Sequence, residues 1–457
     1  MGTRRLICAL SLLALSPGFV VASHATPGHH RIGLMLYDDV PLYSAASPRA
    51  HVISILMQQS QVVELKHSHA WMEVRAWASV RGWVPAKDVV FRAPWVTVST
   101  YRAPAIRYPV HAYAARPLHT LGAVTLGTDL RLRPNGPIAG WLPMGRTVTV
   151  SSWQQDASGG IWYRVGRWWV SGGAVRFLTP NPASVGSDGQ PLWKIVAGKG
   201  MWLTLGTVAV SDPEAIVQAA HHDGITHLYL ESAISPLGFH GRGSVGPLIE
   251  AAHRGRITVI AWVYPYLYDI AGDVTLTRAV AAYRTPSGQR FDGIAADLER
   301  NITPTTVREY SQLIRAYVGP RYLLVGVTYP PQSLPSYPFA EVAHQYNVIA
   351  PMDYWHQTKT AYGLNYNHMR YSSAYTYRYA AESVATIRAD GGIVPIEPIG
   401  QTFDNYGRLG MGPLAPSEEE ERGFVLGSKA AGAIGVSFFQ WMTAGVGEWR
   451  AIHNLRF

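Results

Sequence analysis

The sequence predicts a multidomain protein in which two small all-β barrels precede a (β/α)8 barrel. Three observations lead to this prediction. Short alternating strands in the N-terminal part of the chain recur as an internal repeat of about ninety residues. From residue 193 onward, strand-like and helix-like segments alternate eight times, as they do in a closed parallel barrel. One of these strand-like segments, 291–300, ends in two carboxylates on a single face.

The chain begins with a segment typical of exported proteins. Arg4 and Arg5 precede an apolar run that extends to Ala22 and ends in small residues. This pattern predicts a signal peptide over residues 1–25, with an uncleaved membrane anchor as the alternative. The single cysteine, Cys8, lies inside this segment. We therefore expect a secreted or wall-associated protein without thiol chemistry or disulfides.

Composition favours an extracellular polymer as the partner. The formal net charge of +9 suits anionic envelope polymers. No lysine or arginine run is dense enough to predict nucleic-acid binding, and no glycine-rich turn follows a strand, so no nucleotide cofactor is expected. Histidines such as His221, His222 and His356 show no coherent metal spacing, and no metal is predicted. Oligomeric state is not determined by these patterns.

Residues 33–92 and 119–179 are predicted to form the two β barrels, with linkers at 93–118 and 180–192. Strands of the first copy are expected at 34–37, 40–43, 52–56, 62–65, 71–74 and 82–85. In the second copy, 129–133 stands for the first strand and 146–150 for the third, while 162–165 and 169–172 match 71–74 and 83–86.

A Gly-Trp-Val ending at Gly82 to Val84 and the matching Trp169 give both copies a recognisable character. Both resemble the bacterial Src-homology-3-like domain of cell-wall enzymes. That resemblance implies docking onto peptidoglycan peptides or other wall polymers. The alternative is that Trp83 and Trp169 simply fill two small cores.

Residues 193–457 are predicted to form the (β/α)8 barrel. Its strands are expected at 200–205, 227–231, 258–263, 291–300, 322–328, 347–354, 393–397 and 435–441. Helices are expected between them, for instance at 212–220, 305–317 and 417–431. A doubly wound open sheet is the alternative, but it would not need the eighth unit.

The segment 291–300 carries the candidate chemistry. Alternation places Ile294, Ala296 and Leu298 on one face and puts Asp297 and Glu299 together on the other. Carboxyl groups about 6–7 Å apart cannot both ionise freely when partly desolvated, so one keeps its proton near neutral pH. The alternative is an acidic pair that caps the following helix, near Thr303.

The ends of the predicted barrel strands combine acids with aromatic side chains, which suits a sugar site. These residues are Trp202, Glu231, Tyr264, Asp297, Glu299, Tyr329, Met352, Tyr354, Glu397 and Trp441. The aromatic segment 355–375 is expected to form a wall of the groove.

Three elements make a resemblance specific. The run from Asp292 to Glu299 resembles the D-G-x-D-x-D-x-E signature of glycoside hydrolase family eighteen, the chitinase-like enzymes. The run from Met352 to Tyr354 is similar to the M-x-Y-D element of that family, and Trp441 matches the tryptophan that floors its sugar subsite. The likeness covers the predicted barrel.

The resemblance implies a retaining, substrate-assisted glycoside hydrolase that acts on an N-acetylated cell-wall or chitin-like polysaccharide. Glu299 would protonate the leaving oxygen. Asp297 would orient and stabilise the acetamido group of the substrate as its carbonyl attacks the anomeric carbon, and Tyr354 would hydrogen-bond that carbonyl. The expected substrate-binding residues are Trp441, Met352, Asp353, Trp355, Tyr264, Trp202 and Glu397.

The sequence departs from the family pattern at three places. Ala295 replaces the middle aspartate of the signature, and Trp355 stands where the family has an aspartate, which Asp353 could replace. Strand three reads Ala261-Trp-Val-Tyr264 where the family often has a serine and paired glycines. Two alternatives therefore stay open. One is a retaining glycosidase that uses Glu299 and Glu397 on a non-acetylated glycan, and the other is a non-catalytic wall- or glycan-binding protein.

Overall fold

A computed structural model describes residues 32–35, 40–56, 61–75, 81–91, 110–178, 183–356, 372–403 and 416–457. The predicted signal peptide, most of the linker 93–118 and most of the segment 355–375 lie outside these ranges. Within the described ranges the chain forms two small antiparallel β sheets followed by a closed parallel barrel. The predicted fold class is therefore confirmed.

The first sheet contains seven short antiparallel strands. They are β1 (Ile32–Met35), β2 (Val40–Tyr43), β3 (Val52–Leu56), β4 (Gln61–Ser68), β5 (Trp71–Arg75), β6 (Arg81–Pro85) and β7 (Val89–Phe91). Their order in the sheet is β3-β2-β6-β5-β4-β1-β7. Alternate side chains such as Leu42, Met72 and Val84 fill one small core, as the period of two requires.

The second sheet repeats the topology of the first. Its strands are β8 (Arg116–Val124), β9 (Thr128–Arg131), β10 (Ile138–Leu142), β11 (Thr147–Gln155), β12 (Ile161–Val165), β13 (Trp168–Ser171) and β14 (Val175–Phe177). Their order, β10-β9-β13-β12-β11-β8-β14, matches the first sheet strand for strand. The internal repeat is therefore real, and Trp169 is buried in the second copy.

One detail of the predicted repeat is wrong. The matching sheet orders make β9 the second strand of its copy and β11 the fourth, whereas 129–133 and 146–150 had been assigned as first and third. The true first strand is β8, which begins at Arg116 inside the predicted linker. Its sequence, Arg-Pro-Leu-His-Thr-Leu-Gly-Ala-Val, has a proline at its second position, Pro117. This proline favours a linker interpretation, because proline cannot donate to a strand ladder.

Eight parallel strands form the barrel. They are β15 (Gly198–Leu203), β16 (His227–Ile234), β17 (Thr258–Tyr264), β18 (Gly293–Asp297), β19 (Leu323–Thr328), β20 (Val348–Pro351), β21 (Ile399–Gln401) and β22 (Gly435–Phe439). Each pairs in parallel with its neighbour around the ring. The bridges Ile349 to Ile396 and Met352 to Ile399 join β20 to the segment of β21 and close the barrel.

Helices cover the outside of the barrel. They are α1 (Leu205–Val210), α2 (Pro213–His222), α3 (Val245–Arg254), α4 (Ile270–Ala281), α5 (Pro304–Val318), α6 (Phe339–Ala343), α7 (Ser373–Ala389), α8 (Glu418–Ala430) and α9 (Val446–Asn454). Among the described residues, none of these helices is both long and apolar enough to cross a membrane. Three begin at caps visible in the sequence, with Asp212, Thr303 and Ser417 accepting from backbone N–H groups.

The cap of α5 decides between two interpretations of the acidic pair. Thr303 accepts a hydrogen bond from the backbone N–H of Thr306, and the Thr306 hydroxyl in turn accepts from the N–H of Thr303. A reciprocal capping box therefore caps this helix. Asp297 and Glu299 are not its capping residues, which removes the purely structural alternative considered for them.

The seventh strand lies further along the chain than predicted. It runs over Ile399–Gln401 and not over 393–397. Pro395 and Pro398 have no N–H to donate to a ladder, so regular pairing with β22 begins only after Pro398, at Ile399 opposite Ser437. Glu397 therefore precedes the strand instead of ending it, which reverses the end of the barrel at which it lies.

The second β sheet is joined to the barrel through the buried side chain of Gln155. Its amide nitrogen donates to the Asp269 carboxylate at 2.6 Å and to the His111 carbonyl at 3.0 Å, and its oxygen accepts from the Ala271 N–H at 2.9 Å. Asp269 is also the N-cap of α4 and accepts from the Tyr113 hydroxyl. One side chain thus ties the sheet to the start of a barrel helix.

Replacing Gln155 by methionine is expected to lower the free energy of unfolding by about 1–3 kcal/mol, because buried N–H and C=O groups would lose their partner. Denaturant unfolding of the full chain measures the change. Gln154→Met is the matched control, since this neighbour points to the other face of β11 and is only half-buried. Equal effects of the two substitutions would contradict the role given to Gln155.

Candidate functional site

The acidic pair lies at the C-terminal end of β18, as the alternation predicts. Ile294, Ala296 and Leu298 pack into the layer between strands and helices, whereas Ala295 belongs to the cluster inside the barrel. Asp297 is the last residue of the strand and is only 4% exposed, and Glu299 follows it and is half-buried. The strand thus delivers both carboxyl groups to the end of the barrel where α/β barrels carry their chemistry.

Burial and hydrogen bonding oppose each other at Asp297. Burial raises the pKa of its carboxyl to about 6, while hydrogen bonds from Trp262 and from Glu299 limit the rise. The indole N–H of Trp262 donates to Asp297 Oδ2 at 2.9 Å. This carboxyl therefore titrates closer to neutral pH than an ordinary aspartate, beside a second acid, an arrangement that suits acid–base chemistry.

Three tyrosines surround the pair. The Tyr329 hydroxyl donates to Glu299 Oε2 at 3.0 Å. Burial, together with the charges of Asp297 and Glu299, raises the pKa of Tyr264, Tyr329 and Tyr354 above the ordinary value. All three hydroxyls therefore stay protonated and remain hydrogen-bond donors throughout the physiological pH range.

Aromatic rings line the space next to the acids. Phe439, at the end of β22, lies 5.7 Å from Trp262, 5.9 Å from Tyr354 and 6.1 Å from Phe403 between ring centroids. These four rings are partly exposed. Trp202 is 1% exposed and stacks on Tyr229 at 4.2 Å. Trp202 therefore forms the floor beneath this group and is too deep to touch a ligand.

Sequence reasoning missed Trp262 and Phe439. Trp262 pairs in register with Ala295 across β17 and β18, so its indole lies beside the position where the family signature has an aspartate. From there its N–H reaches Asp297. Period-two alternation could have found it, because Trp262 shares a face of β17 with Tyr264, which was selected.

Two of the predicted binding tryptophans, Trp441 and Trp355, contact helices on the outside of the barrel. Trp441 follows the end of β22 in a turn and packs on Trp449, 4.8 Å between centroids. Trp355 is fully buried and donates to Glu420 on α8 at 2.8 Å. The full burial of Trp355 excludes the predicted contact of this side chain with a substrate, whereas the substrate-binding role of Trp441 stays a prediction.

Asp353 does not face the barrel interior. It is fully buried, and its Oδ1 accepts from Ser383 on α7 at 2.7 Å, so it faces the helix layer and not the barrel interior. Burial raises the pKa of this carboxyl well above its ordinary value. Met352, its neighbour on the opposite face, packs inside the barrel. The alternation of strand side chains separates the two.

Tyr264 lies near the acidic pair, whose charges act on its hydroxyl. Its hydroxyl accepts from Arg300 Nε at 3.2 Å, and its ring packs with Tyr266 at 4.9 Å. Val52, from β3 of the first sheet, packs against the same pair of tyrosines. The first β sheet therefore borders the acidic site on the side of β17.

Glu397 lies in the barrel interior at the opposite end. It is fully buried, with Oε1 2.8 Å from His227 Nε2 and Oε2 accepting from the Tyr229 hydroxyl. His227 is the first residue of β16, whereas Asp297 is the last residue of β18. Parallel strands start at one end of a barrel and finish at the other. This placement contradicts both the substrate-binding assignment of Glu397 and its pairing with Glu299 as acid and nucleophile.

The hydrogen bond from Trp262 to Asp297 leads us to predict how activity depends on pH. Trp262→Phe removes a hydrogen-bond donor that favours the charged form of Asp297, so the pKa of Asp297 should rise. As the pH is lowered, the variant should therefore lose activity at a higher pH than the wild-type protein does. We expect the acid limb of the pH–rate profile to move upward by about one pH unit. Trp168→Phe in the second β sheet is the matched control. An unmoved acid limb would show that the indole does not tune Asp297.

No family model matches the sequence, and no curated protein matches it. Among solved structures, the chain is similar to the spore cortex-lytic enzyme SleL of Bacillus cereus, with 11% identity over 57% of this chain and 74% of that one and a TM-score of 0.41. The family GH18 chitinase of Cycas revoluta, in complex with allosamidin, is 14% identical over 56% of this chain and 97% of that one, with a TM-score of 0.41. A class V chitinase of Pseudomonas fluorescens is 14% identical over 56% of this chain and 98% of that one, with a TM-score of 0.42. These values describe a distant likeness of fold.

Proposed function

We propose that the protein is an exported glycoside hydrolase that cleaves an N-acetylated cell-wall or chitin-like polysaccharide with retention of configuration. The observation that carries this proposal is the pair Asp297 and Glu299 at the C-terminal end of the barrel. Burial raises the pKa of Asp297 to about 6, and tyrosine hydroxyls and partly exposed rings surround the pair. Acids among aromatic rings are the means by which proteins bind and cleave sugars.

In this mechanism Glu299 acts first as the acid. It gives its proton to the glycosidic oxygen as the bond from that oxygen to the anomeric carbon breaks. The hydroxyl of Tyr329, at 3.0 Å, holds the Glu299 carboxyl in place. Once the leaving group has departed, the same carboxylate takes a proton from water as the water attacks the anomeric carbon. The bond from the acetamido oxygen to that carbon then breaks, which restores the neutral acetamido group and gives net retention.

Asp297 acts on the substrate and not on the glycosidic oxygen. The acetamido carbonyl of the sugar forms a bond to the anomeric carbon in the first step, so the acetamido nitrogen becomes positively charged. The Asp297 carboxylate, held by Trp262, stabilises this charge. Tyr354, which burial keeps protonated, donates a hydrogen bond to the acetamido group. The chain needs no nucleophile of its own, which agrees with the remote position of Glu397.

The rings that can receive a sugar differ from those chosen by sequence. Trp262, Tyr354, Phe403 and Phe439 are partly exposed beside the acids. We assign the stacking of the sugar to this group and not to Trp202 or Trp441. The two β sheets remain candidates for docking onto wall polymers, and co-sedimentation of the full chain with insoluble peptidoglycan tests that role.

A second candidate function is glycan binding without cleavage. Ala295 removes one carboxyl of the family signature, and the buried Asp353 does not replace another. A barrel that had lost catalysis would keep the aromatic rings and could still bind acetylated sugars. Retention of both Asp297 and Glu299 in a pocket that raises one pKa favours the hydrolase.

Product analysis distinguishes these functions. The full exported chain is incubated with peptidoglycan, chitin oligomers and a non-acetylated glucan, and reducing ends and masses of products are measured. We expect release from acetylated substrates alone. Release from the glucan would contradict the substrate-assisted mechanism. Binding of acetylated oligomers without any release would establish the second candidate in place of the first.

A further inference from the structure

We infer that the protein binds a divalent transition-metal ion between α2 and α9, through His222, Asp223 and His453. Each of these residues offers one ligand atom, and the three atoms lie within 4.8 Å of one another. Nδ1 of each histidine faces the same carboxylate oxygen of Asp223. Two imidazoles and one carboxylate form a donor set typical of zinc and its neighbours. Among the described residues this is the one group with such spacing.

Distances within the group are close to those that an ion requires. His222 Nδ1 lies 2.9 Å from Asp223 Oδ1, and His453 Nδ1 lies 3.2 Å from the same oxygen. The two rings face each other at 4.6 Å between centroids. Tetrahedral zinc, with bonds of about 2.0–2.2 Å, separates its donors by roughly 3.3–3.5 Å. Side-chain rotation alone can open the group by this amount, since both histidines are substantially exposed.

The backbone that carries the three residues is held from beneath by Lys199. This lysine is buried, and its ammonium donates to the carbonyl of Asp223 and to the carbonyl of Ile452, the residue before His453. One side chain thus positions both segments of the candidate site. Preorganised ligand backbones of this kind raise metal affinity, because less ordering accompanies binding.

The donor set and its surroundings select the kind of ion. Calcium and magnesium prefer six or more oxygen ligands, whereas this group offers one carboxylate. The nearby positive charges of Lys199 and Arg456 also repel a cation, which disfavours ions that bind only through attraction to a carboxylate. Neutral imidazoles bind zinc, nickel or cobalt through nitrogen lone pairs and depend less on local charge. The exposed side leaves room for water to complete the coordination.

The ion would link α9, the last helix of the chain, to the end of α2. His453 and Asp223 are 230 positions apart, so such a link closes a long loop. The single cysteine of the chain lies at position 8, which leaves the remainder without a disulfide to perform the same task. Zinc is therefore expected to stabilise the folded barrel by mass action.

Zinc binding and thermal unfolding test this site on the full exported chain after removal of bound metal with a chelator. At pH 7.5 we expect one zinc ion per chain by calorimetry and a rise in Tm of a few degrees. His222→Ala and His453→Ala should each weaken zinc affinity at least tenfold. His221→Ala is the matched control, because this neighbouring histidine lies outside the group. Magnesium chloride should leave the Tm unchanged.

Two results would overturn the inference. One is the absence of saturable zinc binding by the wild-type chain, which would leave the three side chains as a hydrogen-bonded surface group. The other is an affinity that His222→Ala does not change. His222 is largely exposed, so its variant should fold even if His453→Ala does not. Neither readout depends on hydrolase activity, so the outcome is independent of the proposed function.

Discussion

Replacing Glu299 by glutamine is expected to reduce hydrolysis of acetylated oligosaccharides by about 10²- to 10⁴-fold, the usual contribution of a general acid. The amide cannot give a proton to the leaving oxygen. It has the shape of the carboxylate and can still accept the hydrogen bond from Tyr329. Substrate affinity should therefore change little, and the loss should appear in kcat, measured from reducing ends, while calorimetry gives the Kd.

Glu214→Gln is the control for this substitution. Glu214 lies on the exposed side of α2, where it forms an ion pair with Arg254. It has no part in the proposed mechanism. Its variant should keep the wild-type kcat and Kd. A Glu299→Gln variant that retained more than about a tenth of the wild-type rate would contradict the role of Glu299 as acid. A variant that lost affinity together with rate would instead assign Glu299 to substrate binding.

Replacing Glu397 by alanine is expected to destabilise the fold by about 3–5 kcal/mol, the usual cost of breaking a buried network of ionisable groups. Both of its oxygens are engaged, one with His227 and one with Tyr229. The substitution takes the Glu397 partner away from His227 Nε2 and from the Tyr229 hydroxyl in the barrel interior and opens a cavity. Denaturant unfolding of the full chain gives the free energy, and the Tm should fall by on the order of 10 °C.

Glu397→Gln separates structure from chemistry. Glutamine keeps the volume and can still bond to one or both neighbours, so we expect a smaller loss of stability and, in the folded protein, a kcat close to wild type. If Glu397→Gln stayed as stable as wild type but lost hydrolysis, Glu397 would belong to the chemistry after all. That result would also require a substrate path to the opposite end of the barrel.

Local patterns were sufficient for the architecture. The strand β18 is an example, since period-two alternation alone divides Ile294, Ala296 and Leu298 from Asp297 and Glu299, and the structure shows that division. The caps at Asp212, Thr303 and Ser417 were equally visible, because a cap depends on residues within one turn. The less accurate predictions fall beside prolines. Pro117 hid the start of β8, and Pro398 delayed β21 past Glu397.

The sequence by itself determined the repeat of two β sheets, the alternation of strands and helices that follows them, and the presence of two acids at the end of β18. These are properties of neighbouring residues, and side-chain direction along a strand follows from backbone geometry. Only the tertiary structure decided which side chains meet across the barrel. Trp262 reaches Asp297 through the register of β17 and β18, Glu397 finds His227, and His453 meets His222. Each contact depends on strand register, barrel closure or helix docking, and these arise only when distant segments pack together.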